Sequence, residues 1–178
     1  MNILKKIYRL LNQKQLSNFV WSDLKLTIEN EGYNNGVFET RKLIEIKFSN
    51  HDDIIYDYNV FLNEETQKLV IYTTIINAYH SDKSRDCLVL ASHFNSKLNH
   101  GIVTVNPEGS SVSYFREVDL FTYCFFPERI IPFIESHYHT SNDVLWAFNK
   151  LLTTDEDPIF IFSELLRSKA TESEDSSS

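Results

Sequence analysis

The chain has 178 residues, 42% of them hydrophobic and 13% aromatic, enough to close one sizeable core but marginal for two. Seventeen Lys and Arg against twenty-five Asp and Glu give a net charge of -8, which argues against any broad nucleic-acid surface, since phosphate binding needs a dense basic face. The charge is uneven. Lys5, Lys6, Arg9 and Lys14 are the only charged residues of the first fifteen, so removing those four cations from the total of -8 leaves -12 for the rest. Nothing approaches a membrane span, and the cations interrupt the first apolar stretch before it reaches the length of a secretory signal. Cys87 and Cys124 are far apart and stand in no metal-ligand spacing. A reduced, cytoplasmic chain is the simplest reading, with one disulfide still open.

In chain order, residues 2–14 form an amphipathic pattern, with Ile3, Ile7, Leu10 and Leu11 on one stripe and the cations elsewhere. The spacing predicts a basic helix over 1–15, packing back on the acidic body or reaching out to a partner. Residues 13–17 loosen the pattern. The stretch 22–31 fits either period, and Gly32 as a left-handed stop favours helix.

From Val37 the period changes, and Ile44, Ile46 and Phe48 alternate with Glu45 and Lys47 as in a half-buried strand. Residues 49–53 read as a turn, 54–62 as a second strand, 63–67 as a turn and 69–76 as a third strand. That third strand is apolar on both faces and so central. After a polar loop at 80–85, Leu88, Ala91, Phe94 and Leu98 restore the helical period. Gly101 opens a strand over 102–105, Asn106-Pro107-Glu108-Gly109 makes a turn, and residues 111–124 read as one long strand. Ile130, Ile134 and Tyr138, then Val144, Leu145, Phe148, Leu151 and Leu152, mark a helical third. Thr140 with Asp143 resembles a capping box, implying a break near 140 or a kinked single helix. Pro158 starts a short helix to about Leu166, and 169–178 reads as a disordered acidic tail. The expected domain is 16–168: an α+β fold whose antiparallel sheet, three strands, a helix and two strands, is flanked by helices.

The passage from Leu88 to Val118, with Phe94-Asn95, Leu98, Gly101, the Glu108-Gly109 turn and Tyr114 to Arg116, resembles the helix-to-hairpin passage of the YbjN-like family. As topology the resemblance extends over about 22–152. That family's domain is similar in fold to type III secretion chaperones. The resemblance implies a cytoplasmic protein-binding domain, makes a homodimer plausible, and carries over no catalytic residue. The basic N-terminal helix and the helix after Pro158 are departures from it.

Candidate chemistry is sparse. His137 and His139 are two apart, about 200° around a helix, so they read as a solvated helix end rather than a metal pair. His93 and His100 lack a carboxylate or cysteine at matching spacing. Glu45-Ile46-Lys47, with Asp23 or Glu31 upstream, faintly matches a metal-nuclease strand but is better explained as the outer side of an alternating strand. The two cysteines read as buried small hydrophobes, and the four glycines as turns or caps rather than a phosphate cradle. No catalytic residue, cofactor or metal ligand is therefore assigned.

What remains is surface: Ile3, Ile7, Leu10 and Leu11 on the first helix, and Phe121, Tyr123, Phe125 and Phe126, whose alternate members on a strand must point to opposite faces. Either set could touch a partner. The expected function is a non-enzymatic protein-interaction module, chaperone-like or adaptor, binding another polypeptide without nucleic acid or stable membrane insertion. An inhibitor or immunity-type protein and a metal-dependent hydrolase are the alternatives.

Overall fold

The computed structural model describes residues 13–33, 35–49 and 55–175. The predicted helix over 1–15, with Ile3, Ile7, Leu10 and Leu11, lies almost wholly outside them, as does most of the turn at 49–53. The elements are α1 (Gln13–Asn30), β1 (Asn35–Phe38), β2 (Leu43–Ser49), β3 (Ile55–Asn63), β4 (Lys68–Ile76), α2 (Ser84–Lys97), β5 (Ile102–Asn106), β6 (Ser111–Asp119), α3 (Leu120–Phe125), α4 (Ile130–Thr153) and α5 (Pro158–Asp175). The strands make one six-stranded sheet in the order β1-β2-β3-β4-β6-β5, with the β1–β2, β2–β3, β3–β4 and β5–β6 pairs antiparallel. This is the expected α+β class, with β4 inside the sheet and one strand, β1, added at its edge.

The chain divides into two compact units. One runs to Thr73 and includes Arg116–His137; the other holds Thr74–Phe115 and the residues from Tyr138 on. In the first, the register places Ile44, Val60 and Ile71 in one row, Ile46, Tyr58 and Thr73 in the next, and Leu62 beside Leu69. All are buried, together with the stripe Leu16, Val20, Trp21, Leu24 and Ile28 of α1. The amphipathic period of that helix begins at Gln13, so the loosening expected at 13–17 is absent: Leu16 and Ser17 are buried one turn before Val20 and Trp21. Gly32 closes the helix at φ 73°, as expected of a left-handed cap. Trp21 Nε1 then donates to Glu39 Oε2 at 2.7 Å, tying α1 to the turn after β1.

The second unit is built on Cys87, Leu90, Ala91 and Phe94 of α2, Val103, Val112 and Tyr114 of the β5–β6 hairpin, Val144, Ala147, Phe148 and Leu151 of α4, and Ile161, Phe162 and Leu165 of α5. Of the expected stripe, Ala91 and Phe94 are buried and Leu98 packs against this core, and only Leu88 lies off it. Leu88 is 49% exposed, because Cys87, Leu90, Ala91 and Phe94 already supply an i, i+3, i+4, i+7 face. Asn95 clamps the helix end to the hairpin, its Oδ1 accepting from Val103 N–H at 2.8 Å and its Nδ2 donating to Val103 O at 2.9 Å.

Other differences are local. Gly36 lies within β1, not in a turn. In the β5–β6 turn the positive φ falls on Ser110, while a Cβ at Gly109 would stand 2.7 Å from Asn106 Nδ2 and push that side chain aside. Residues 120–125 are helical. Asp119 ends β6 and caps the helix, its Oδ1 accepting from Phe121 N–H at 2.8 Å and Thr122 N–H at 3.2 Å. The helix α4 passes through Thr140 unbroken, because Ile134, Ser141, Val144 and Ala147 keep one face buried across it, and Asp143 pairs with Lys169 instead of capping. Its neighbour α5 continues to Asp175, past Leu166 and into the segment expected to be an acidic tail.

Asp119→Ala removes the oxygen that accepts both cap bonds and is expected to cost about 1 kcal/mol of unfolding free energy, with Asp119→Asn costing much less. Chemical denaturation of the two variants checks this.

Candidate functional site

The face of β1–β4 opposite the buried rows is the site that the alternation of these strands creates. Phe38 pairs with Leu43, Leu43 with Phe61 and Phe61 with Val70, so four apolar side chains form a continuous cross-strand row. The neighbouring row runs Gly36, Glu45, Asn59, Tyr72. Arg41, Leu43, Asn59, Phe61 and Tyr72 line a shallow, open cleft of about 330 Å³ across these rows. Phe38 is exposed, Leu43, Phe61 and Tyr72 are half-buried, and Val70, where the row ends, is buried. An apolar floor with an amide, a phenol and a guanidinium at its margins can take up side chains of another polypeptide.

The edge of this sheet is β1 itself, four residues long, hydrogen-bonded to β2 on one side and carrying no charged residue and no proline. Beside its inner side a second, more polar hollow of about 450 Å³ is lined by Lys25, Glu29, Asn35, Val37 and Glu39. The Lys25 ammonium and the Trp21 indole both donate to Glu39, and these bonds hold its carboxyl below the usual range.

The aromatic run is divided by helical geometry, not by strand alternation. Tyr123 is buried, its hydroxyl donating to Asp23 Oδ2 at 2.7 Å; burial and the Asp23 carboxylate raise its pKa well above the ordinary phenol value. Phe121 and Phe126 are 39% and 40% exposed. Phe121 meets Phe125 edge-on at 4.8 Å, and Arg129 lies over the Phe126 ring at 4.5 Å. Three of the four residues therefore make an aromatic corner at the surface, and the fourth fastens α3 to α1.

His137 is not at a solvated helix end. It is buried in the middle of α4, with Nε2 and Thr73 Oγ1 3.0 Å apart and the Tyr58 ring edge-on at 5.6 Å. Burial, aided by the Arg116 guanidinium, pushes its pKa down to about 3. Arg116 is buried too, donating to Ser136 Oγ at 2.8 Å and stacking on Phe133 at 4.1 Å. One signal for this placement stood in the sequence: His137 continues the stripe Ile130, Ile134, Ser141, Val144 at helical spacing.

His139 is exposed, so the pair is not brought together. His93 stacks on Phe162 at 5.7 Å, and the carbonyl of His100 accepts from the Tyr114 hydroxyl. Glu45 and Lys47 stand on the outer sheet face, while Asp23 serves Tyr123. Cys87 and Cys124 are free, buried thiols, raised by burial to about 11. Among the described residues no group of three or more His, Cys, Asp or Glu could hold a metal ion, and no helix is long and apolar enough to cross a membrane.

No protein-family model matches the chain, and no curated protein matches it. A chain in the crystal structure of the ExsC-ExsE complex is similar to it in fold, at a TM-score of 0.47 and 12% identity, over 85% of this chain and 97% of that one.

The depressed pKa of His137 has a signed consequence. Above the unfolded histidine value near 6.5 the imidazole is neutral in both states. Between about 6.5 and 3 only the unfolded chain binds the proton, so stability drops as the pH is lowered through that window, by roughly 5 kcal/mol in total. His137→Gln is expected to flatten this slope while lowering stability at pH 7, as measured by urea denaturation across pH.

Proposed function

We propose that the chain is a non-enzymatic protein-interaction module, chaperone-like or adaptor in kind, that holds another polypeptide on the outer face of β1–β4. The observation that carries this reading is the accessible part of the row, exposed Phe38 with half-buried Leu43 and Phe61, and the shallow cleft that Leu43 and Phe61 line. A sheet face turned to solvent is ordinarily polar, and continuous apolar rows on such a face mark contact surfaces. The uncharged, proline-free edge of β1 beside it supports an extended segment as the bound form, since such an edge offers backbone groups for strand addition.

Four of the titratable groups with displaced pKa values support the same reading. His137, Tyr123, Cys87 and Cys124 are all buried, and the bonds that fix His137 and Tyr123 join secondary-structure elements. The exposed corner of Phe121, Phe125 and Phe126 offers a second contact area for the same partner. Two free cysteines agree with a cytoplasmic setting.

The test is affinity capture from the native cell with the wild-type chain and the double variant Phe61→Asp/Tyr72→Asp. A polypeptide is expected to co-purify with wild type and to fall at least about tenfold with the variant, an anchor's share of an interface. If nothing co-purifies and the purified protein turns over a substrate, the reading is wrong.

A further inference from the structure

By the order of its strands the sheet ends in β1 on one side and β5 on the other. Both strands are uncharged and free of proline, β1 with the sequence Asn-Gly-Val-Phe and β5 with Ile-Val-Thr-Val-Asn. By side-chain preference β5 is the better template for a further strand, since four of its five residues are β-branched, whereas β1 holds Asn35 and Gly36. An uncharged edge of that composition invites unwanted pairing.

Backbone hydrogen bonds set the two edges apart. On β5, the Val103 N–H donates to Asn95 Oδ1 at 2.8 Å, and the Val103 carbonyl accepts from Asn95 Nδ2 at 2.9 Å. Opposed residues of an antiparallel pair alternate between exchanging bonds and turning their polar groups outward. With both groups of Val103 spent on Asn95, Ile102 and Thr104 are the residues that exchange bonds with Phe115 and Ser113, and Val103 and Val105 face away from β6. The Asn95 amide therefore occupies the middle of this edge as a residue of a neighbouring strand would. One outward position remains, at Val105. The next is Pro107, which has no N–H to donate, and before the strand Gly101 at φ 90° turns the chain out of the extended region.

On β1 the alternation has the opposite result. The Leu62 N–H donates to Lys42 O at 3.0 Å, and Lys42 stands opposite Leu62 in the continued β2–β3 register, so Ile44 and Ile46 bond to β3 while Leu43 and Glu45 bond to β1. Their partners there are Phe38 and Gly36, which leaves the N–H and carbonyl groups of Asn35 and Val37 directed outward. Among the described residues none bonds to these groups.

We propose that Asn95 decides which edge of the sheet accepts an extended polypeptide: its amide stands in for a strand on β5 and confines strand addition to Asn35 and Val37 on β1. This specificity rests on the proposed function, in which the bound segment is extended.

The test selects linear peptides from a displayed library against the full chain and against Asn95→Ala, and reads their sites by hydrogen exchange of single backbone amides. Peptides selected on wild type are expected to slow the Val37 amide about tenfold, the share of one net hydrogen bond, and to leave Val103 and Val105 unchanged. Asn95→Ala is expected to yield a second class of peptide that slows Val103 and Val105 and still binds after Phe61→Asp/Tyr72→Asp. A merely structural clamp would speed exchange at Val103 without creating that class. Far-UV circular dichroism checks that the variant is folded, and Asn95→Ser, whose hydroxyl can meet only one of the two backbone groups, is the second variant. Wild-type peptides that protect Val103 or Val105, or variants that yield no peptide there, overturn the role of Asn95 while protection of Val37 keeps strand addition at β1. Absence of protection at Val37 in every protein overturns strand addition itself, and the role of Asn95 with it.

Discussion

Ile44, Val60 and Ile71 in one row and Ile46, Tyr58 and Thr73 in the next constrain the first unit more than any other feature. Strand side chains alternate with a period of two, so a slip of one residue would turn these rows to solvent and bring Leu43, Phe61, Glu45 and Asn59 inward. Full burial of each apolar side chain stabilises by about 1.5–3 kcal/mol, and a buried Glu45 would add a charge penalty. Register is therefore fixed from the inside. The composition of the outer face is then free to serve something other than folding, and it is apolar where Phe38, Leu43, Phe61 and Val70 meet.

The same register brings Thr73 to the inner face, where its hydroxyl meets His137 on α4. A histidine kept neutral between Thr73, Tyr58 and Arg116 is a packing element with a polar edge, and it makes this part of the core sensitive to acid rather than reactive. Tyr123 with Asp23 does comparable work between α3 and α1. Both pairs use residue types that suggest chemistry in a sequence, and both spend that chemistry on holding helices in place.

Two of the apolar surfaces among the described residues differ in kind. The one on β1–β4 is a broad, shallow face next to the edge strand β1. The one on α5 is a narrow group of exposed side chains, Ile159, Phe160 and Leu166. A broad face with a strand edge suits an extended polypeptide.

The sequence by itself determined the class of fold, the alternation of β2 to β4, the place of β4 inside the sheet, the helix ending at Gly32 and the burial of both cysteines, because each follows from periodicity or from one residue's backbone preference. Three features needed the tertiary structure. β1 is too short, at four residues with Asn35 and Gly36 among them, to show a period. Residues 120–125 carry aromatic residues that favour strands, and the helix there depends on Asp119 turning its carboxylate onto two amides. The local pair Thr140 and Asp143 resembles a cap and suggests a break or a kink just after His137, whereas a buried face running through Ser141 and Val144 carries the helix on. Local signals propose ends and breaks, and burial along a whole face decides whether they are used. For the same reason the candidate site was not legible: Phe38, Leu43, Phe61 and Val70 lie on four strands, and only pairing makes them neighbours.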